Sequence, residues 1–495
     1  MSPSLKHDEI PHITIIRPVK GIEVGLYDCL ASTFQLAYPK SKLTIHFCVA
    51  STDDPAYPLL QKVVADFPGF DARVLIEEDD PLLHGTGGHV NNLGPNPKIR
   101  NMSRAYREAK GEIIWIVDCN VWVGAGSVGR MVDKLCGFQP DGARSTPYKL
   151  VHQLPLVVDI EEPKATEELG LLSNDTPQPR APKGLLDHGG RLEEMFMSTT
   201  HAKFYSAINT VGVAPCIVGK SSMFRKAHLD AMTDPAQNPI LAASDASRGR
   251  GLDFFSSYIC EDHLIGDLTW RSAPSPPSPS PSHPPGTTTK FGNHALVFGE
   301  VAIQPMSGMS VAAYVARRVR WLRVRKWTVL LATLVEPGIE PLLCSVHLSF
   351  ALTTLPWARE ALGLSATWGA MAAVWASTVA AWMVLDRWFT SRMRRLESVE
   401  VDENTPAFAR GAGRQGGVGQ RPFLEWLAAW LGREVLALPI WTWAVLLGAT
   451  VNWRGKQFLV RMDMSVVEVG GSQRLASEPS AEDSRPNSRN KDRVD

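Results

Sequence analysis

Short apolar runs alternate with helix-length stretches through the first two thirds of the chain. The runs "ITIIR" (13–17), "LTIHFCVA" (43–50), "ARVLI" (72–76), "IIWIV" (113–117) and "KLVHQLPLVV" (149–158) predict strands. Between them, 54–67 and 100–111 have the mixed spacing of helices. Strands alternating with helices predict an α/β domain with a mostly parallel sheet. Ligands of such sheets bind beyond the carboxyl ends of the strands. Asp54 follows the second run and Asp118 the fourth. Asp118 is conspicuous, because "IIWIVDCNVWV" (113–123) interrupts an apolar run with a carboxylate.

The last third has a different pattern. Residues 366–385 form 20 uncharged positions, enough to span a bilayer, and 435–452 form a second uncharged run of 18. A third apolar region, 327–357, is interrupted by "EPGIEP" (336–341), which reads as a re-entrant or interfacial element at a lipid entrance. The flanks "RVRKW", "DRWFTSRMRR" and "WRGK" are cationic and carry Trp, the residues of a cytosolic membrane boundary. The expected organisation is a cytosol-facing domain over 1–326 and a membrane region over 327–458 with two to three transmembrane or re-entrant segments. A tail, 459–495, follows and is disordered after about 470. Three full spans would put "WRGK" on the side opposite the first domain, so one of the three segments is expected not to cross. Two further segments, 160–190 and the Pro-rich 273–289, read as disordered insertions.

Composition narrows the function. Lys+Arg and Asp+Glu both number 51, a balance that argues against nucleic-acid binding. Seven scattered cysteines, with no C-x-x-C, fit a reducing compartment better than a disulfide framework. The polar opening "MSPSLKHDEIPH" has no secretory signal. The run "HGTGGH" (84–89) lacks the Gly-Lys-Ser/Thr of a phosphate loop and reads as a plain loop.

Four elements could carry chemistry: "STDDP" (51–55), "NPKIRN" (96–101) with "VDCN" (117–120), "CEDH" (260–263) and "RRVRW" (317–321). Singly, each has an ordinary role as a turn, a helix start or a membrane anchor. In this order, ahead of apolar helices, they resemble family-2-like inverting glycosyltransferases, and within those the ceramide glucosyltransferases. "RPVKG" (17–21), "FCVASTDDPA" (47–56), "LVHQLPLVVD" (150–159), "MSTTHAKFYSAINTVG" (197–212), "CIVGKSSMFRKAHLD" (216–230), "EPGIEP" and "WRGKQF" (453–458) extend the resemblance across most of 13–458.

The resemblance implies a GT-A-type, Rossmann-like nucleotide-sugar domain followed by C-terminal membrane helices. It implies glucose transfer from UDP-glucose to the primary hydroxyl of ceramide, with inversion, at a Golgi (or ER) membrane. Asp262 falls on the family's base position. Asp118 falls on the metal or diphosphate position, and Asp54 on that of the acid contacting uracil or ribose. Lys98 is a phosphate or structural lysine, and His201 a donor contact or a core histidine. Arg317 and Arg320 share a helix face and would meet the leaving diphosphate, with Trp321 as a flat wall. Arg318 would point elsewhere, towards lipid headgroups, and Cys216 reads as a small buried thiol. Asn120 stands where many relatives have a second Asp, so any Mg²⁺ or Mn²⁺ on Asp118 would be weakly held or carried in with the nucleotide. The family usually has a membrane helix ahead of the first strand. Either one precedes this sequence or the C-terminal region anchors alone. The alternatives are a polysaccharide-making membrane transferase of the same fold and an inactive membrane scaffold recruiting partners through the Pro-rich run. The number of copies per assembly is not legible in the sequence.

Overall fold

The computed structural model describes residues 10–84, 93–139, 141, 143–160, 184–272 and 290–469. The Pro-rich run 273–289, most of 84–89 and of 160–190, and the tail beyond 469 lie outside the described residues.

The five predicted strands join two that the pattern did not single out, β6 and β7, in one seven-stranded sheet in the order β3-β2-β1-β4-β6-β5-β7. They are β1 (Ile13–Pro18), β2 (Leu43–Val49), β3 (Asp71–Ile76), β4 (Ile113–Val117), β5 (Tyr148–Asp159), β6 (Ser221–Arg225) and β7 (Gly292–Met306). Neighbours pair in parallel except at β6, which runs antiparallel to both β4 and β5. Every residue of β1, β2 and β4 is buried, which explains their near-continuous apolar runs: both faces are covered. The expected mostly parallel α/β domain is therefore present. Helices α1 (Tyr57–Asp66), α2 (Pro97–Arg107) and α3 (Ser127–Cys136) cover it. Asn96 starts α2: its Oδ1 accepts from the Lys98 and Ile99 N–H groups at 2.8 and 3.1 Å, and Pro97 needs no donor there.

Arg17, at the end of β1, is completely buried. Its guanidinium donates to the carbonyls of Cys29 (2.8 Å), Cys119 (3.1 Å) and Val121 (2.8 Å), and to Thr33 Oγ1 (3.1 Å). It thereby pins the loop that carries Asp118 to the strand beside it.

The chain does not leave this domain at 326. Helix α4 (Gly189–Phe196) runs through a π-helical turn, Met197–His201, into α5 (Ala202–Val211). After α6 (Glu261–Arg271) and β7 comes α7 (Val311–Arg325), then α8 (Leu330–Val335) and a single 3₁₀ turn, Glu336–Ile339. Both acids of that turn region face protein: Glu336 pairs with Arg325 at 2.7 Å and Glu340 with Arg433 at 2.8 Å. Helix α9 (Pro341–Thr354) bends by 85° into α10 (Pro356–Leu362), and α11 (Trp368–Arg395) returns along α9. Among the described residues, α11 is the one single helix long and apolar enough to cross a membrane, and α9 with α10 passes the same test as a bent pair.

The run 435–452 is not one helix. Helix α12 (Phe423–Trp441) gives way to a π turn, Thr442–Leu446, and a strand starts at Thr450. Pro439 removes a helical hydrogen bond there, and α12 buries Arg433 and Glu434 against the protein. The strands β8 (Thr450–Trp453), β9 (Lys456–Val460) and β10 (Val466–Glu468) then form a small antiparallel sheet on the first domain.

Arg17→Ala would take a buried donor from the carbonyls of Cys29, Cys119 and Val121, of which Cys29 keeps the Ser32 hydroxyl at 2.7 Å. The expected loss is on the order of 3 kcal/mol. It should read as a lower melting temperature of the solubilised chain, with Arg17→Lys falling less. Equal melting temperatures for all three would contradict this role.

Candidate active site

The antiparallel insertion of β6 creates the centre of the site. Its register sets Ser221 opposite Val117, so Lys220 falls opposite Asp118, whose N–H donates to the Lys220 carbonyl at 3.0 Å. The Lys220 ammonium lies 3.0 Å from Asp118 Oδ2. The first turn of α2 delivers Lys98, whose ammonium lies 3.0 Å from Asp118 Oδ1 and 3.1 Å from Glu261 Oε1. It also donates to the Gly219 carbonyl at 3.2 Å. One lysine thus joins the acid after β4 to the acidic pair that opens α6. Asp262, next along, accepts from the Gly219 N–H through Oδ2 at 2.7 Å.

These surroundings push the three acids apart. Burial alone would raise the Asp118 pKa, but Lys98 and Lys220 overcome it and hold Asp118 well below the ordinary carboxylate range. Burial raises Glu261 and Asp262, and Lys98 only partly offsets it. For Lys98, burial opposes the charge, yet Asp118 and Glu261 outweigh it and raise its pKa.

A cavity of about 440 Å³ opens over this cluster. Of the sequence-predicted residues, Lys98, Asp118, His201, Asp262, Arg317, Arg320 and Trp321 line it. Asp54 does not. Its Oδ1 accepts from the N–H groups of Gly21 and Ala56, both at 2.9 Å, so it shapes the loop behind the wall. Arg317 is held by buried Glu193 at 2.8 Å and lies 4.9 Å from the Trp321 ring centre. Arg318 departs from expectation. It is buried, 3.4 Å over the Phe196 ring, and lines the cavity instead of facing lipid, because α4 packs across that side of α7.

The π turn brings His201 to the wall, stacked on Tyr205 at 5.2 Å. Burial, with Arg318 and Arg325 nearby, lowers its pKa to about 3, so it is a neutral imidazole at any working pH. Cys216 packs against Leu154 and Tyr205, and burial raises its thiol to about 11, which leaves it unreactive. Lys20, Glu23, Lys220, Arg325, Trp453 and Arg454 also line the cavity. Sequence reasoning gave none of them a site role. Lys220 was detectable only through its strand pairing, and Arg454 reads as a membrane flank.

The donor set does not fit a resident divalent cation. Both Asp118 oxygens already meet ammonium groups, and Asn120 bonds Glu23 and Lys220. Among the described residues no three His, Cys, Asp or Glu side chains gather as metal ligands. The positive charge at this strand end comes from lysine and arginine.

Comparison with known proteins adds an independent line. The chain matches the model of glycosyl transferase family 21 over residues 2–168 and 287–466. It is 56% identical to a ceramide glucosyltransferase of Pyricularia oryzae, over 95% of this chain and 88% of that one. A ceramide glucosyltransferase of Gibberella zeae is 49% identical, with 98% and 90% covered. One of Candida albicans is 31% identical, with 92% and 88% covered.

Lys98→Met would leave buried Glu261 and half-buried Asp118 short of a shared cation. A loss of about 3–5 kcal/mol is expected. Adding Glu261→Gln to that variant should restore part of the melting temperature. A fall no smaller in the double variant would contradict the shared-cation reading.

Proposed function

The chain belongs to glycosyl transferase family 21, and from that premise we propose how its cavity moves a sugar. The protein transfers glucose from UDP-glucose to the primary hydroxyl of ceramide, with inversion, and so makes glucosylceramide. The observation that carries the residue assignments is the single cavity shared by Asp262, Lys98, Arg317 and Arg320.

The donor lies beyond the carboxyl ends of β1 and β4, with its diphosphate towards the cations. Asp262 is the base. The Gly219 N–H fixes one of its oxygens and so orients the other. That oxygen takes the hydroxyl proton as the ceramide oxygen attacks C1 of glucose from the face opposite the diphosphate. The C1–oxygen bond breaks, and its electron pair leaves with UDP. Arg317, Arg320 and Lys98 meet the charge that develops on the leaving group. Asp118 is a positioning residue: it fixes Lys98 and Lys220 before the donor arrives. Trp321 offers the acceptor a flat wall, and neutral His201 lines the donor side without adding charge.

The enzyme is membrane-associated, in keeping with its lipid acceptor. Two full crossings, α9 with its bent extension and α11, fit the structure best. The α9 end is tied to the first domain through Glu340 and Thr200, and the α11 end through Arg394 and Glu194. Both ends therefore sit on one side, and "WRGK" returns to that same side, as the charge rule requires. Exposed Leu331, Trp357 and Trp368 suit lipid contact. This supports a multi-pass protein with its catalytic domain in the cytosol, at the Golgi or ER membrane.

Membranes containing the chain, given UDP-[labelled]glucose and ceramide, should yield labelled β-linked monohexosyl lipid. A water-soluble polymer, or no product, would contradict the assignment. The pH profile adds a second test. Because the Asp262 pKa is raised, the base is lost by protonation before pH falls to the ordinary Asp value of about 3.9. The acid limb of kcat should have its midpoint above that value while the melting temperature is maintained. A midpoint at or below it would contradict the base assignment.

A further inference from the structure

We propose that the β8–β9 hairpin completes the donor site, and that Arg454 at its tip binds the diphosphate of the sugar nucleotide. The inference rests on the reading that this cavity takes a nucleoside-diphosphate sugar.

The hairpin closes between Trp453 and Lys456, leaving Arg454 and Gly455 as its two turn residues. Their φ values are +52° and +82°. Two-residue turns of this shape favour Asn followed by Gly, and an arginine at the first position is strained. The turn therefore holds a residue that it does not favour on backbone grounds. That residue lines the cavity shared by Asp118 and Asp262, and its charge acts on Arg320 there.

The hairpin is fixed in place. The Arg454 carbonyl accepts from the Lys20 ammonium at 2.7 Å, so the tip is bonded to the loop after β1. Phe458 is fully buried with Val451, Ile259, Cys260 and Val324. Ile259 and Cys260 immediately precede the acids of α6, and Val324 closes α7. The Val466 N–H adds a bond to the Ser257 carbonyl at 2.9 Å. A segment that follows the apolar helices in sequence is thus built against the base and the arginine helix together.

Charge states what the tip is for. Apart from Asp262, the base, the acids of the cavity are committed: Asp118 to Lys98 and Lys220, Glu261 to Lys98, Glu23 to Asn120. Among the described residues, Lys20, Arg318, Arg320 and Arg454 line the cavity and have no carboxylate partner; Arg318 is stacked on Phe196, which leaves Lys20, Arg320 and Arg454. Burial and the charges of Arg317 and Arg454 lower the Arg320 pKa to about 10, and burial and Arg454 lower that of Lys20. Three mutually repelling cations at one wall are stabilised by a multiply charged anion, and a diphosphate supplies one. Neither uracil nor ceramide does.

Arg454→Asn is the decisive variant, because Asn suits the turn and removes only the cation. The measurement is binding of UDP and of uridine to the solubilised full-length chain, with KM for both substrates. UDP should bind at least about tenfold more weakly, with uridine unchanged within about twofold. KM for UDP-glucose should rise, KM for ceramide should not, and Arg454→Lys should recover part of the loss. Lys456→Ala, which removes a cation of the same hairpin that pairs with Glu468 outside the cavity lining, should bind UDP within about twofold of the wild type. Unchanged UDP binding, or equal losses for UDP and uridine, would overturn the proposal. Wild-type chain that binds UDP but makes no glucosylceramide would instead overturn the functional reading, and the Arg454 comparison would still stand on UDP binding.

Discussion

The carboxylate of Asp118, gripped by two lysine ammoniums, is the interaction on which the rest of the site depends. Three distant stretches of chain meet there: the end of β4, the start of α2 and the residue before β6. Each needs its own local device. Arg17 pins the loop after β4, Asn96 starts α2, and the antiparallel register of β6 sets Lys220 in place. Lys98 then passes the connection on to Glu261, which fixes the position of Asp262. A buried charge cluster of this kind is costly to assemble unless every member has a partner. It persists because its members satisfy one another before any substrate enters.

The same arrangement separates the acids by role. Asp118 is held ionised by its two cations, whereas for Asp262 burial outweighs Lys98 and the backbone donors of His263 and Gly219 and raises its pKa. Acids of unequal affinity for protons are what a site needs if one is to organise charge and another is to accept a proton. The leaving diphosphate meets cations whose counter-ions are few. Among the described residues Lys20, Arg320 and Arg454 have no carboxylate partner, and the proposed diphosphate would supply the charge that offsets them. The C-terminal hairpin belongs to this arrangement as much as the sheet does.

Much of this was legible in the sequence because periodicity and order are local. The five strand runs, the acids after them, "CEDH" and "RRVRW" could all be read directly, and seven of the eight expected site residues line one cavity. Asp54 could not be placed, because an acid after a strand serves a turn as readily as a ligand. Arg318 could not be placed either, because helix spacing shows which residues share a face but not what packs against the other faces. Lys220 depended on strand register, and Arg454 on a hairpin that returns across the domain. Both are long-range facts with no local signature. The run 435–452 shows a related limit of local reading: an uncharged stretch fits a bilayer span or a helix laid on protein, and here the helix ends in a π turn after Pro439 and a strand begins at Thr450.

The central claim is that charge organisation and proton acceptance reside on different residues of one cavity. Asp262→Asn, nearly isosteric, tests it most directly when donor affinity and turnover are measured on the same preparation. The account predicts an unchanged Kd for UDP-glucose, within about threefold, and a fall in turnover of about 10²–10⁴-fold. Turnover within tenfold of wild type, or loss of donor binding along with it, would contradict the account.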